Sequence, residues 1–340
     1  MTRRGPGLLL RDILRGDAQV DAVVKTIAEY APDVLLLTAI DGDHDLNTLG
    51  AIADELRAVG QDYPHLFAPR SNRGLATAFD LDGDGYTGGP GDAQGFGRFA
   101  GNGGMAILSK LPIDRAAARD FSALLWRDLP GAMLPTVDGA PFPSAEAMLH
   151  QRLSSTGHWD VPLVVGTRRI HLLAFAATTP VFDGPEDRNG RRNHDEVAFW
   201  ARYLDGGLQY TPPLDPVVVL GNANLDPSDG DGLRRAIETL LTHARLQDPA
   251  PAAAGGAIAA RLQGGANASQ TGDPAHDTAD WQDQPGPGNL RVSYVLPDMA
   301  LKVLDAGVVW PVEGDPLYHV LSGENAPRHH MVWVDFDIPD

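Results

Sequence analysis

The sequence predicts an α/β sandwich. Three observations lead there. Some segments repeat apolar residues at helical spacing, while others run apolar without interruption, as buried strands do. The two kinds of segment are interspersed along the whole chain rather than segregated into halves. The 340 residues, 43% apolar and 21% charged, supply enough material for a large core. We take residues 1–340 as one domain with two long insertions, at about 79–104 and 245–289.

In "AQVDAVVKTIAEYA", Val20, Val23, Val24, Ile27 and Ala28 share one helical face. Asp17 stands where an N-cap belongs, and Pro32 ends the helix. "DVLLLTA" follows as a strand covered on both faces. "LNTLGAIADELRAVG" returns to helical spacing through Leu46, Leu49, Ile52, Ala53 and Leu56, with Gly60 as the stop. Strands are expected in "MAILSKLPI", "VPLVV", "RIHLLAFA", "PVVVLG", "VSYVLP" and "MVWVDF", and helices in "NHDEVAFWARYLDGG" and "GLRRAIETLLTHA". Phe79 to Gly104 is glycine-rich and aperiodic, and Arg245 to Asn289 is rich in Ala, Gly, Gln and Asp. Unstructured stretches this long inside a compact domain are usually functional or disordered.

Composition removes several function classes. A net charge of −18 opposes nucleic-acid partners, whose phosphates demand a basic face. The arginines of "DRNGRRNHDE" are interrupted by acids, and we read them as a solvated helix start. The absence of cysteine excludes disulfides, zinc–thiolate sites and cysteine nucleophiles. No apolar run approaches the ~20 residues of a membrane span. In "MTRRGPGLLLRDILRGD" the apolar run is too short for a secretory signal, so a cytoplasmic location without membrane partners is expected.

In "FDLDGDGYTGGPGD", Asp80, Asp82 and Asp84 alternate and Gly85 follows, which is the first half of a calcium loop. The twelfth position, which should carry a bidentate acid, is Gly91, and Asp92 comes one residue late. The alternatives are a structural Ca²⁺ site at Asp80, Asp82 and Asp84 and a solvated acidic turn. No other cofactor is required.

Long stretches of the chain, among them "APDVLLLTAID", "FAGNGGMAILSKLPI", "PVFDGPEDRNGRRNHDEVAFW", "VVVLGNANLDPSDGDG" and "HHMVWVDF", resemble the endonuclease/exonuclease/phosphatase superfamily in that family's order. The resemblance implies a four-layer α/β/β/α sandwich of two mixed sheets. It also implies an active site at one end, where acids hold Mg²⁺ or Mn²⁺ and activate a water against a phosphoester. Residue by residue, the carry-over fails. The metal-binding glutamate falls on Ala39 and the catalytic histidine on Ala176. Gly-Asp-x-Asn becomes Gly221-Asn222-Ala223-Asn224, a usual aspartate becomes Ser293, and Ser-Asp-His becomes Arg328-His329-His330. The family's first strand, which carries a metal-binding asparagine, has no recognisable counterpart before Leu8, and an open sheet edge there would leave a homodimer through strand pairing open.

These losses point away from metal-dependent phosphoester hydrolysis, because Mg²⁺ wants carboxylate ligands. Asp41, with Asp43 and Asp45, could replace ligands or merely lead into a helix, and Asp226 could reach inward or cap its turn. The expected function is a cleft repurposed for a small organic molecule, bound or transformed without metal. Candidate acid–base and hydrogen-bonding groups are His329, His330, Asn222 and Asn224, and Ala39, Asp41, Phe175, Ala176, Thr178 and Ser293 are candidate lining residues. A non-catalytic binding or scaffold protein, and a phosphoesterase with rebuilt ligands, are the alternatives.

Overall fold

The computed structural model describes residues 1–323 and 326–338. Two sheets pack face to face with helices outside. The first has the order β1 (Val34–Ile40), β3 (Gly104–Ser109), β2 (His65–Phe67), all antiparallel. The second has the order β12 (Ser293–Pro297), β9 (Val217–Asn222), β8 (Arg168–Ala176), β7 (Gly157–Val165), β4 (Arg119–Asp120). It is mixed, because β8 and β9 run parallel. Their crossover is α5 (Arg188–Leu204).

The uninterrupted apolar strands are explained by burial on both faces. In β3, Met105 and Ile107 enter the core between the sheets, while Ala106 and Leu108 meet the outer helices. In β8, Leu172, Ala174 and Ala176 face between the sheets, and Leu173 and Phe175 lie under α5. β9 divides its valines the same way, Val218 inward and Val217 and Val219 outward. At about 1.5–3 kcal/mol per buried large apolar side chain, these three layers of contact dominate the stability.

Helices α1 (Leu8–Ile13), α2 (Ala18–Tyr30) and α3 (Asn47–Ala58) cover the first sheet. Asp17 caps α2 as expected, accepting from Gln19 N and Val20 N. The Asp43 carboxylate accepts from Asn47 N and Thr48 N and so starts α3. Helix α5, with α6 (Arg235–Leu241) beside it, covers the second sheet. Smaller elements decorate this frame. They are the β5 (Thr136–Val137)/β6 (Ala140–Pro141) hairpin, α4 (Ala145–His150), the pair β10 (Ala279–Asp280)/β11 (Asn289–Leu290), α8 (Tyr318–Leu321), and the hairpin partners β13 (Lys302–Val308) and β14 (Val332–Asp337).

The segment at 79–104 is irregular, as the glycines suggested, with one 3-10 turn at Pro90–Asp92. The segment at 245–289 is not a bare loop: it contains α7 (Ala254–Gln263), whose Gly255 and Gly256 are buried. Ahead of α1, Met1 lies along the end of β1: its amine donates to Ala39 O, and Asp41 N donates to Met1 O. No described helix is long and apolar enough to cross a membrane.

Candidate functional site

Ser71, Asn72 and Arg73 tie the ends of the two sheets together. Asn72 N donates to Thr156 O just before β7, and Arg73 Nε donates to Asn102 O just before β3. Across the second sheet, Gly157, Ala176, Asn222 and Ser293 stand in one row on successive strands. Residues paired in this way share a face, so Ala176, Asn222 and Ser293 line the inner side of the sheet end. Gly221 makes the approach to this row feasible. Its φ is +149°, and a Cβ would sit 1.9 Å from Phe175 O on the neighbouring strand.

The two asparagines are turned toward each other. Asn222 Oδ1 accepts from Asn224 N at 3.0 Å, and Asn222 Nδ2 donates to Asn224 Oδ1 at 3.2 Å. Asn224 Nδ2 donates to Ala177 O at 2.8 Å, and Asn224 takes the left-handed conformation that Asn tolerates, with φ +49°. Ser293 N donates to Thr278 Oγ1, and Thr278 O accepts from His330 N. His330 is buried and stacked on Trp310 with ring centroids 3.8 Å apart. Its Nδ1 lies 3.0 Å from Val309 O, which places the ring proton on Nδ1 and leaves Nε2 as a lone pair. His329 bridges to Ala279 and stands edge-on to Trp281, and its Nδ1 is buried without a partner.

Burial pushes both histidines down to about 4, assisted at His329 by the Met1 ammonium. They are neutral at pH 7, so the pair adds no positive charge to the cleft. Ala39 is exposed, in a bulge between Thr38 and Ile40 with φ +51°. Asp41 is 4% exposed, and its carboxylate accepts from Arg3 N, Asn102 Nδ2 and Gly103 N. Asp41 therefore locks the cleft wall rather than presenting a bare carboxylate. Thr178 is engaged through its backbone: its N–H donates to Glu196 Oε2 and its carbonyl accepts from Asn193 Nδ2.

Two expectations need correction. Phe175 does not line the cleft; it is 0% exposed, beneath α5 against Trp200 and His158. The alternating strand gives the inner face to Ala176 instead. The "DRNGRRNHDE" segment is not a solvated helix start, because Arg192, Asn193, Asp195 and Glu196 are all buried. Arg192 donates to the carbonyls of Leu153, Gln94, Arg152 and Ser154. Glu196 accepts from Ser155 N, Ser155 Oγ and Thr178 N, and Asn193 Nδ2 ties Thr178 O to Ala223 O. Burial raises the Glu196 pKa and pulls Arg192 down to about 10. The signal for this network was in the sequence: Arg192, Glu196, Phe199 and Tyr203 fall on one helical stripe, so the charges share the apolar face.

Asp226 also closes a turn, accepting from Ser228 N, Asp229 N and Arg291 N. Near it, Asp277 is 6% exposed with an unpartnered Oδ2. Burial, followed by Asp226, Asp229 and Asp273, pushes its pKa up to about 8. Asp277, Thr278 and Arg73 belong to the cleft surroundings and were not singled out by sequence reasoning, although Asp277 and Thr278 lie in the stretch "TGDPAHDTADW", which also resembles the family.

Among the described residues, the one group of three acids or histidines with ligand atoms within 4.8 Å of one another is Asp80, Asp82 and Asp84. These are the residues that could hold a structural cation. The loop is also closed by the protein itself. The Asp92 carboxylate accepts from Leu81 N and Gly89 N, and Arg188 donates to Leu81 O. Two surface hollows, of about 280 and 430 Å³, lie near Leu124, Asp128 and Tyr210 and near Gln263 and Gln282; no residue of the sheet-end row lines either.

The sequence matches the model of the Endonuclease/Exonuclease/phosphatase family over residues 6–326. Among solved structures, the chain is similar to an endonuclease/exonuclease/phosphatase from Beutenbergia cavernae, with 15% identity and a TM-score of 0.53, over 95% of this chain and 66% of that one. It thus spans just under two thirds of that protein's length. It is also similar to an endonuclease/exonuclease/phosphatase family protein from Leptotrichia buccalis, with 15% identity, a TM-score of 0.49, and 94% and 92% of the two chains covered. For the human Nocturnin catalytic domain with bound sulfate the values are 12%, 0.48, and 95% and 87%. No curated protein matches the sequence.

Proposed function

This chain belongs to the endonuclease/exonuclease/phosphatase family, and we propose that it is a divergent member whose cleft holds a small organic molecule without a metal ion. The observation that carries this reading is the row Ala176–Asn222–Ser293, which brings a methyl, an amide and a hydroxyl to the sheet end where the family resemblance calls for a histidine and carboxylates. Mg²⁺ and Mn²⁺ sites take anionic oxygen, so this donor set does not fit them. Of the surrounding acids, Asp277 keeps an unpartnered Oδ2, but burial pushes its pKa up to about 8 and holds it largely protonated at pH 7. Asp41, Glu196 and Asp226 each spend their oxygens on backbone N–H groups.

Within that reading, binding is favoured over turnover. A histidine with a pKa near 4 is not an imidazolium acid at pH 7 and is a weak base. Metal-free catalysis is the second reading, and it rests on the free Nε2 of His330. The test is metal content together with hydrolysis of an activated phosphodiester and a monoester, with Mg²⁺, Mn²⁺ and Ca²⁺ each added. The expected result is no turnover above the metal-free control. Mg²⁺- or Mn²⁺-dependent turnover that Asp41→Asn or Asp226→Asn abolishes would overturn the proposal in favour of a phosphoesterase with rebuilt ligands.

A further inference from the structure

We propose that Arg73 makes the cleft selective for a small organic monoanion, a carboxylate gripped end-on by the two terminal guanidinium nitrogens; this rests on the metal-free reading above. Arg73 is partly buried between the sheet ends. Its Nε is committed to Asn102 O at 3.1 Å. Gly103, at φ +68°, packs against the guanidinium so closely that a Cβ there would sit 3.3 Å from Nε. The side chain is therefore held in place, yet among the described residues its terminal nitrogens meet no acceptor and no carboxylate within salt-bridge distance.

Burial pulls the Arg73 pKa below its ordinary value, and Asp41 and Glu196, acting from a distance, offset this only in part. Their oxygens are bonded elsewhere, so neither pairs with it. A partly desolvated cation without a partner is costly, and a bound anion would offset that cost. The remaining pair of terminal nitrogens offers the parallel N–H donors that a carboxylate accepts in bidentate fashion. The two nearby carboxylates repel a dianion more than a monoanion, which selects against phosphate. Phe96, 63% exposed, follows Gly95, the residue bridged to Arg73, and places an aromatic ring on the same loop.

The experiment is calorimetric titration of the full chain in EDTA with sodium benzoate and, separately, inorganic phosphate. Benzoate is expected to bind saturably and phosphate about tenfold or more weakly by comparison. Arg73→Gln should weaken benzoate by about tenfold or more, the loss of a charge-assisted bidentate contact. Arg73→Lys, which keeps the charge and loses the fork, should fall between them. Melting curves without ligand establish that both variants fold. Benzoate binding unchanged in Arg73→Gln, phosphate binding tighter than benzoate, or no saturable binding of either anion to the wild type would each overturn the proposal. Because EDTA removes metal from every titration, these outcomes are independent of the Mg²⁺ turnover assay that tests the underlying reading.

Discussion

Asp277→Asn removes one ionisable group from a buried acidic neighbourhood while leaving its shape nearly unchanged. In the folded chain the carboxyl is 6% exposed, and its pKa is pushed up to about 8, by burial first and then by Asp226, Asp229 and Asp273. In the unfolded chain it titrates near ~3.9. Between those values the folded state holds a proton that the unfolded state has lost. This contribution is therefore fully favourable below about pH 4, declines as pH rises, and levels off above about pH 8. Each unit inside that window is worth about 1.4 kcal/mol, so from pH 4 to pH 6 the wild type loses about 3 kcal/mol through this group. The Asn variant cannot ionise. Its amide leaves an unpaired buried donor costing about 1–3 kcal/mol, but at every pH alike. The diagnostic is therefore the slope. In urea unfolding from pH 4 to pH 8, the stability of Asp277→Asn relative to wild type should climb by about 3 kcal/mol by pH 6 and continue upward toward pH 8. Two parallel pH profiles would refute the reasoning.

Other substitutions probe the parts that shape the cleft. Gly221→Ala puts a methyl 1.9 Å from Phe175 O in the middle of the sheet, and a loss of more than about 3 kcal/mol is expected by thermal melting. Asp41→Ala orphans Arg3 N and Gly103 N and frees the Asn102 amide, and should cost about 1–3 kcal/mol in denaturant unfolding. Arg192→Met strips four carbonyls of their donor and leaves Glu196 without its buried cation, so about 3–5 kcal/mol should be lost. Asp92→Ala releases Leu81 N and Gly89 N, and hydrogen exchange at those two amides should accelerate while β3 stays protected.

Periodicity was a good guide wherever one period held for a whole element. Val20, Val24 and Ile27 did pack on the first sheet, Asp17 did cap its helix, and the resemblance anticipated the α/β sandwich. It failed where the residues carry no contrast. "LAFAAT" is apolar throughout, so only the register of β8 decides that Phe175 faces α5 and Ala176 the other sheet. The glycines of α7 hide a helix because Gly255 and Gly256 are there to let Trp310 and Pro274 approach, not to break the chain. Arg192 and Glu196 looked solvated because charge usually is, and their burial depends on carbonyls of residues 94 and 152–154 and on the N–H and hydroxyl of Ser155, far away in sequence. Arg73 has no local signature at all; what sets it apart is that, among the described residues, its two terminal nitrogens have no partner, which only the assembled chain reveals.

Asn193 and Glu196 reach the cleft from below and grip it only by main-chain atoms and a serine hydroxyl, at Thr178, Ala223 and Ser155. Its contour is thus maintained from beneath, by side chains other than those of the sheet-end row. Positions 39, 176, 222 and 293 contribute what the surface presents, and the clamps beneath hold the backbone at Thr178 and Ala223 without using them. Such an arrangement separates mould from lining. A lineage can exchange histidine for alanine or acid for amide one position at a time, passing through intermediates that still fold, and arrive at a different specificity in an inherited shape.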